Sequence, residues 1–310
     1  MTIPHRFIGI DVSKAHLDIY DDGTVKSERI ANSKDAVAGA LTGWPSAGLR
    51  VIFEATGSYD RVLRAALEAA GIAYVRVNPA RVRDFARATG ALAKTDAIDA
   101  RLLASMGRAL VLAPSQAADP LREKLARLHR RRDQLVAMRA DEKKRLSLAE
   151  DDDVRASIAT HIAWIDAEVR RLQRSIDGLV AGSAELAGLR KRLQTAPGVG
   201  PVTALTLIAL MPELGQRSGK TIAALAGLAP FNNDSGAFRG QRHIRGGRRR
   251  VRQALYMAAL AAIRKVPRLA MHYRNVVARS GHAKVGIIAV ARKLLVALNA
   301  MVRTSQPFAI

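Results

Sequence analysis

Phe7-Ile8-Gly9-Ile10-Asp11-Val12 is a nearly unbroken apolar run that closes on a carboxylate. Its length and composition predict a strand with Asp11 at its end. Reading outward, His16–Tyr20 alternates, with Leu17 and Ile19 on one side, and Thr24–Ile30 makes a weaker third strand. Asp21-Asp22-Gly23 between them is a hairpin signal. A helix is expected over Lys34–Leu41, a strand over Leu49–Phe53, and a helix over Tyr59–Ala70 that stops at Gly71. A fifth strand over Ala73–Val77 follows, then helices over Pro79–Ala88 and Asp96–Met106.

Three strands in two hairpins, then helix, strand, helix, strand and helix, is the order of a ribonuclease-H-like α/β fold, a mixed sheet flanked by helices. In that order the first and fourth strands are neighbours. Asp11 and Glu54, which ends Val51-Ile52-Phe53-Glu54, would then meet at one end of the sheet. Asp96 and Asp99 in Lys94-Thr95-Asp96-Ala97-Ile98-Asp99-Ala100 are three apart, on one helix face, with Thr95 as N-cap. Four converging carboxylates repel one another, and a divalent cation such as Mg²⁺ or Mn²⁺ relieves that repulsion with hard oxygen ligands. Two such ions would stabilise both the attacking and the leaving oxygen of a phosphoryl displacement. Singly, each Asp also reads as a turn or cap residue. An opening like Ile8-Gly9-Ile10-Asp11-Val12-Ser13 also begins actin-like sugar kinases, but the second nucleotide-binding domain they require is absent from the helical C-terminal half.

Charge narrows the partner. The 310 residues carry 50 Lys and Arg against 27 Asp and Glu, a formal net charge of +23, and the sequence pI is near 11.3. That excess points to a polyanion, nucleic acid first and an acidic membrane surface second. With 49% hydrophobic residues the chain is expected to fold rather than stay disordered. The absence of Cys excludes disulfides, thiolate zinc sites and Cys nucleophiles. No apolar run is expected to reach the roughly 18–20 residues of a membrane span. Met1–Arg6 lacks the apolar core of a signal peptide, so a bacterial-type cytoplasmic location is expected.

Past residue 112 the pattern becomes helical. Ile158, Ile162, Ile165, Val169, Leu172, Ile176 and Leu179 form a heptad seam, and Leu121, Leu125, Leu128 and Leu135 a shorter one, with Glu150–Asp153 as the break. This predicts an antiparallel coiled-coil hairpin whose seam is available to a partner chain, or whose two seams bury each other. Three regions result: 1–112, 113–192 and 193–310. In the last, Pro197-Gly198-Val199-Gly200-Pro201 between helices resembles a helix–hairpin–helix turn, where Gly198 and Gly200 would let backbone N–H groups approach a phosphate. Phe231–Gly247 reads as a polar, Gly-rich loop. Arg239, Arg242, Arg245, Arg248, Arg249 and Arg250 follow Asn232-Asn233-Asp234-Ser235-Gly236 with no acid among them, a pattern suited to gripping phosphates. Ser235 beside this basic run is a candidate nucleophile or a plain turn residue, and His243 a candidate base.

Together, Ile8–Lys14, Phe53-Glu54-Ala55-Thr56-Gly57, Lys94–Ala100, Pro197–Gly200, and Ala226-Gly227-Leu228-Ala229-Pro230 leading to Asp234-Ser235-Gly236 resemble the insertion-sequence-110 family of transposases, DEDD recombinases guided by a bridge RNA. The resemblance implies a RuvC-like N-terminal domain in which Asp11, Glu54, Asp96 and Asp99 hold Mg²⁺. It implies a coiled-coil middle that assembles protomers, as a dimer and as a tetramer on DNA, and a mainly helical transposase domain with Ser235 as nucleophile. In the family the carboxylates of one protomer face the serine of another, and a phosphoserine–DNA linkage precedes strand exchange. A structured non-coding RNA pairs with donor and target double-stranded DNA, which removes the need for a sequence-reading helix. The competing reading is a metal-dependent RuvC-like nuclease of junction-resolvase type with no covalent intermediate.

Overall fold

The computed structural model describes residues 4–55, 57–91, 96–117, 119–231, 234–235, 238–239, 243–306 and 308, with side chains for all but 96–98, 234–235 and 238–239. The chain separates into two units, Met1–Ala117 and Ala118–Ile310, each with its own core.

In the first unit the order is β1 (Arg6–Val12), β2 (His16–Asp21), β3 (Lys26–Ala31), α1 (Lys34–Leu41), β4 (Leu49–Glu54), α2 (Arg61–Ala69), β5 (Tyr74–Val77), α3 (Pro79–Ala88) and α4 (Asp96–Ala109). The sheet runs β3-β2-β1-β4-β5, antiparallel across the first three strands and parallel across the last three. Alternation along the strands separates two cores. Ile8, Ile10, Val51 and Phe53 pack with Val37 and Leu41 of α1 and Leu63 and Leu67 of α2. Phe7, Ile52, Val75 and Val77 pack on the opposite face with Val82 of α3 and Leu102, Leu103 and Met106 of α4. Helix α2 starts two residues later than its sequence pattern suggests. Its N-cap residue, Asp60, makes no cap bond, because its buried carboxylate is held between Arg64 and Arg76.

Gly9 sets the position of α4. A Cβ built on it would lie 1.9 Å from the Ala100 carbonyl oxygen and 2.5 Å from the Ala104 nitrogen, so only glycine lets the helix backbone rest on β1. Gly107, farther along α4, stands in the same way against Ile52 and Phe7 of the sheet.

The second unit contains α5 (Pro120–Leu148), α6 (Asp152–Ala181), α7 (Ala184–Gln194), α8 (Pro201–Leu210) and α9 (Gly219–Leu225). There follow β6 (Pro230–Phe231), β7 (Asp234–Ser235), β8 (Phe238–Arg239), β9 (His243–Ile244), α10 (Arg249–Lys265), α11 (Pro267–Ser280) and α12 (Ala283–Thr304). Helices α5 and α6 form the expected antiparallel pair. Asp119 caps α5 through the Leu121 N–H, and Asp151 caps α6 through the Val154 N–H. At about 1.5 Å per residue each helix is some 45 Å long. The seam closes within the chain: Leu135, Ile165 and Leu172 bury one another, and Arg139 bonds Asp166 across the pair. Ile158, Ile162, Val169 and Leu179 of the same seam are half-buried. Leu125, Ile176 and Val180 continue into the core formed by α7–α12, so the hairpin and the C-terminal helices share one unit.

Helix α12 corrects the expectation about apolar runs. Between Val285 and Met301 only Arg292, Lys293 and Asn299 interrupt it, and it is long and apolar enough to cross a membrane by length and composition. Half of that window is buried inside the unit, where Leu294, Leu295 and Leu298 pack among the other helices. Its buried Asn299 is satisfied by the Gly215 N–H at 2.8 Å and the Arg217 carbonyl at 2.9 Å, so the helix reads as a core element.

Candidate functional site

The carboxylates are placed by strand register. Gly9 pairs with Ile52 across β1 and β4, and both belong to the α4 face of the sheet. Two residues farther along each strand, alternation puts Asp11 and Glu54 on that same face, at the adjacent carboxyl ends of two parallel strands. Both are half-buried. The backbone of Ala100 lies over Gly9, so Asp99, one residue earlier and also half-buried, enters at the same edge. Asp96 opens α4, while its side chain lies outside the described residues. The topology thus brings Asp11, Glu54 and the first turns of α4 together. Among the described residues no group of three or more His, Asp or Glu is gathered closely enough to hold an ion, and Asp96 does not enter that comparison. The four acids offer only hard oxygen donors, which suits Mg²⁺ or Mn²⁺ and does not suit the softer zinc or copper sites.

Two features of this edge were missed in the sequence. Asp18 on β2 stands opposite Asp11, and both its oxygens are taken by Arg29 at 2.8 and 3.1 Å, so it enters the acidic edge already neutralised. Helix α3 leaves the carboxyl end of β5 and exposes Arg81, Arg83 and Arg87. Its signal was the run of arginines with Asp84 as the one acid.

The Pro197–Pro201 turn divides the work of its glycines. Gly198 adopts φ +84°, and an added Cβ would lie 2.2 Å from the Ala258 carbonyl oxygen on α10. It therefore serves close packing of the turn. Gly200 is the N-cap of α8, with open space around it, and Pro201 and Val202 are exposed. The α8 N-terminus, with its outward N–H groups, is the part able to meet a phosphate. The helix itself is fixed to the hairpin by a buried bond. The Thr206 hydroxyl donates to the Val202 carbonyl at 2.7 Å, so His129 Nε2, 3.0 Å away, donates to Thr206. Burial lowers the pKa of His129 below its ordinary value, which keeps it in this neutral form.

Within the expected Gly-rich loop two short ladders appear. Pro230 and Phe231 pair with Ile244 and His243, and inside them Asp234 and Ser235 pair with Arg239 and Phe238. Ser235 thus sits at the tip of the inner ladder. The Ser235 and Arg239 side chains and all of Arg242 lie outside the described residues. His243 is exposed.

The basic run is not one continuous surface. Arg248 is clamped by Glu213 at 2.6 Å to each oxygen, and Arg250 is bound by Asp133 of α5. Burial pushes both carboxyls up, but the paired arginines outweigh it and hold Glu213 and Asp133 below the usual range. Arg248 and Arg250 therefore anchor the return of the loop into α10 through these ion pairs. Arg249 is exposed, and Arg245 lies over the Phe231 ring at 4.9 Å, at the mouth of the ladders.

Comparison with known proteins agrees with this arrangement. A DEDD transposase model of the IS110 type matches residues 8–149, and a model described as the transposase IS116/IS110/IS902 family matches residues 190–274. The chain is 28% identical to the pilin gene-inverting proteins of Moraxella lacunata and Moraxella bovis, over 97% of its own length and 97% of theirs. It is 29% identical to an uncharacterized 43.6 kDa protein of insertion element IS110 from Streptomyces coelicolor, over 49% of this chain and 37% of that one. Two models of one family, matched in order across both units, leave one assignment: this chain belongs to the IS110 family of transposases, enzymes that act on DNA.

Proposed function

We propose that the protein is the RNA-guided DNA recombinase of an insertion sequence, cutting and rejoining strands through a phosphoserine intermediate at Ser235. The observation that supports this reading is the placement of Asp11 and Glu54 on one face at neighbouring strand ends, with Asp99 carried to the same edge by the seating of Ala100 over Gly9. Asp11, Glu54, Asp96 and Asp99 would hold Mg²⁺ or Mn²⁺, which when bound supplies charge stabilisation for a phosphoryl displacement. The Ser235 oxygen attacks phosphorus and gives up its proton, an Oγ–P bond forms, one P–O ester bond breaks, and the leaving oxygen of the departing strand takes up a proton to become a hydroxyl. The reverse attack by a hydroxyl of the exchanged strand restores Ser235. The ester energy is retained, so no nucleotide cofactor is needed.

The exposed residues Arg245 and Arg249, and the net charge of +23, support a role in which phosphate contacts position both DNA and a structured guide RNA. Aromatic residues make up only 4% of the chain, which favours backbone and shape contacts over base stacking. The enzyme would work as a homo-oligomer in the bacterial cytoplasm, on the nucleoid.

The test is adduct capture. Protein copurified with its RNA is mixed with DNA carrying the matching site and denatured in SDS. A protein–DNA adduct is expected from the wild type and none from Ser235→Ala, which should still bind RNA. Free-ended cleavage products without an adduct would instead establish the nuclease reading.

A further inference from the structure

Helix α3 is tied at both ends to the carboxylate edge. Its N-terminus follows Val77, which pairs with Glu54. Its C-terminal Gly90 is six residues from Asp96 at the start of α4, a link that reaches at most about 20 Å. Val82, with Phe85 and Ala86 beside it, fixes the inner face of α3 in the core that contains Leu102 and Leu103 of α4. Arg81, Arg83 and Arg87 are left on the outside.

These arginines have little to do within the protein. Among the described residues the side chains of Arg81 and Arg83 make no hydrogen bond or ion pair. Arg87 meets Asp84 at 3.9 Å with both side chains 75% exposed, and a pair so open to solvent contributes little. On the other side of the carboxylates Lys14 is exposed in the turn that follows β1. Along the edge the order is therefore Lys14, Asp11, Glu54 and the α3 arginines. The strands from β1 to β5 cover only about 10 Å of that distance. A cluster of carboxylates repels a polyanion, so a substrate strand brought there needs cations on its flanks.

We propose that the DNA strand to be cut crosses this edge, with its phosphates on Lys14 at one side and on Arg81, Arg83 and Arg87 at the other. The inference rests on the reading of Asp11 and Glu54 as part of the DNA-cutting site. RNA offers the same phosphates, so the test separates the two.

Because the chain has no Cys, one introduced thiol is unique. Arg83→Cys places it on α3, and Lys26→Cys places it at the start of β3, on the opposite edge of the sheet, as control. The full-length, RNA-loaded protein is mixed with site-bearing DNA that carries, beside the cleavage position, a tether activated as a mixed disulfide, so that exchange with the Cys releases a small thiol; in a second reaction the same tether is placed on the RNA instead. A disulfide cross-link to DNA is expected at position 83 in clear excess over position 26. In parallel, the triple variant Arg81→Gln, Arg83→Gln, Arg87→Gln is expected to make the log–log salt dependence of DNA binding shallower by about two to three. Equal cross-linking at both positions, or an unchanged salt slope, overturns the track, as does capture of the RNA in place of the DNA. Neither readout requires cleavage. Failure of the track therefore stays distinct from failure of the carboxylate reading, which would show as wild-type cleavage in Asp11→Asn.

Discussion

Asp11→Asn is expected to lower DNA cleavage and strand exchange by about a hundred- to a thousandfold, the scale of losing one preorganised charge-stabilising group. The substitution keeps the shape of the side chain and removes its charge. Asp11 is half-buried at the end of β1 and shares its face with Glu54, and like charges placed on one face disfavour each other's ionised form. Removing one should leave thermal stability unchanged or slightly raised, as at sites where function is held against stability. The measurement is cleavage of site-bearing DNA beside a melting curve of the same preparation. Retained cleavage, or loss of cleavage together with unfolding, would contradict the assignment.

Gly9→Val carries the largest expected effect on stability. The first carbon of the new side chain would fall 1.9 Å from the Ala100 oxygen, and the atoms it meets are backbone, which cannot swing aside. Overpacking of a core typically costs about 1–3 kcal/mol, and a backbone clash this close belongs at or beyond the upper end. For a unit of this size about 3 kcal/mol corresponds to a fall in Tm of roughly 10 °C. Valine suits a strand, so β1 itself has no reason to fail; what is lost is the seating of α4. Because α4 carries Asp96 and Asp99, cleavage should fall more than the loss of folded protein explains. Scanning calorimetry of the full chain, with cleavage normalised to the folded fraction, checks both parts. A Tm within 2 °C of wild type, a shift that about 0.6 kcal/mol would produce, would show that α4 does not rest on Gly9.

These two positions show what a sequence can convey. Phe7–Val12 and Leu49–Glu54 are legible as strands because apolar runs of that length are local signals, and the alternation of strands and helices follows from their sequence. The placement of Asp11 and Glu54 at the ends of neighbouring strands could be inferred from that order. Other features depend on residues far away. Nothing near Arg250 announces Asp133, 117 positions earlier, or marks Glu213 as the partner of Arg248. The late start of α2 reflects Arg76 drawing Asp60 inward from β5. Gly198 reads locally as room for a phosphate, whereas the space it leaves is filled by α10. The ladders β6–β9 and β7–β8 have two-residue strands, too short for any periodicity. The heptad seam was legible as a seam, but the same spacing serves a partner chain or the chain's own α5.

Anomalous diffraction from crystals of the nucleic-acid-bound protein soaked in Mn²⁺ tests the central claim most directly. The account predicts a manganese peak coordinated by Asp11 and Glu54 and by acids from the first turns of α4, absent in Asp11→Asn. A peak located elsewhere, or Asp11 and Glu54 carboxylates pointing away from each other in an active complex, would contradict it.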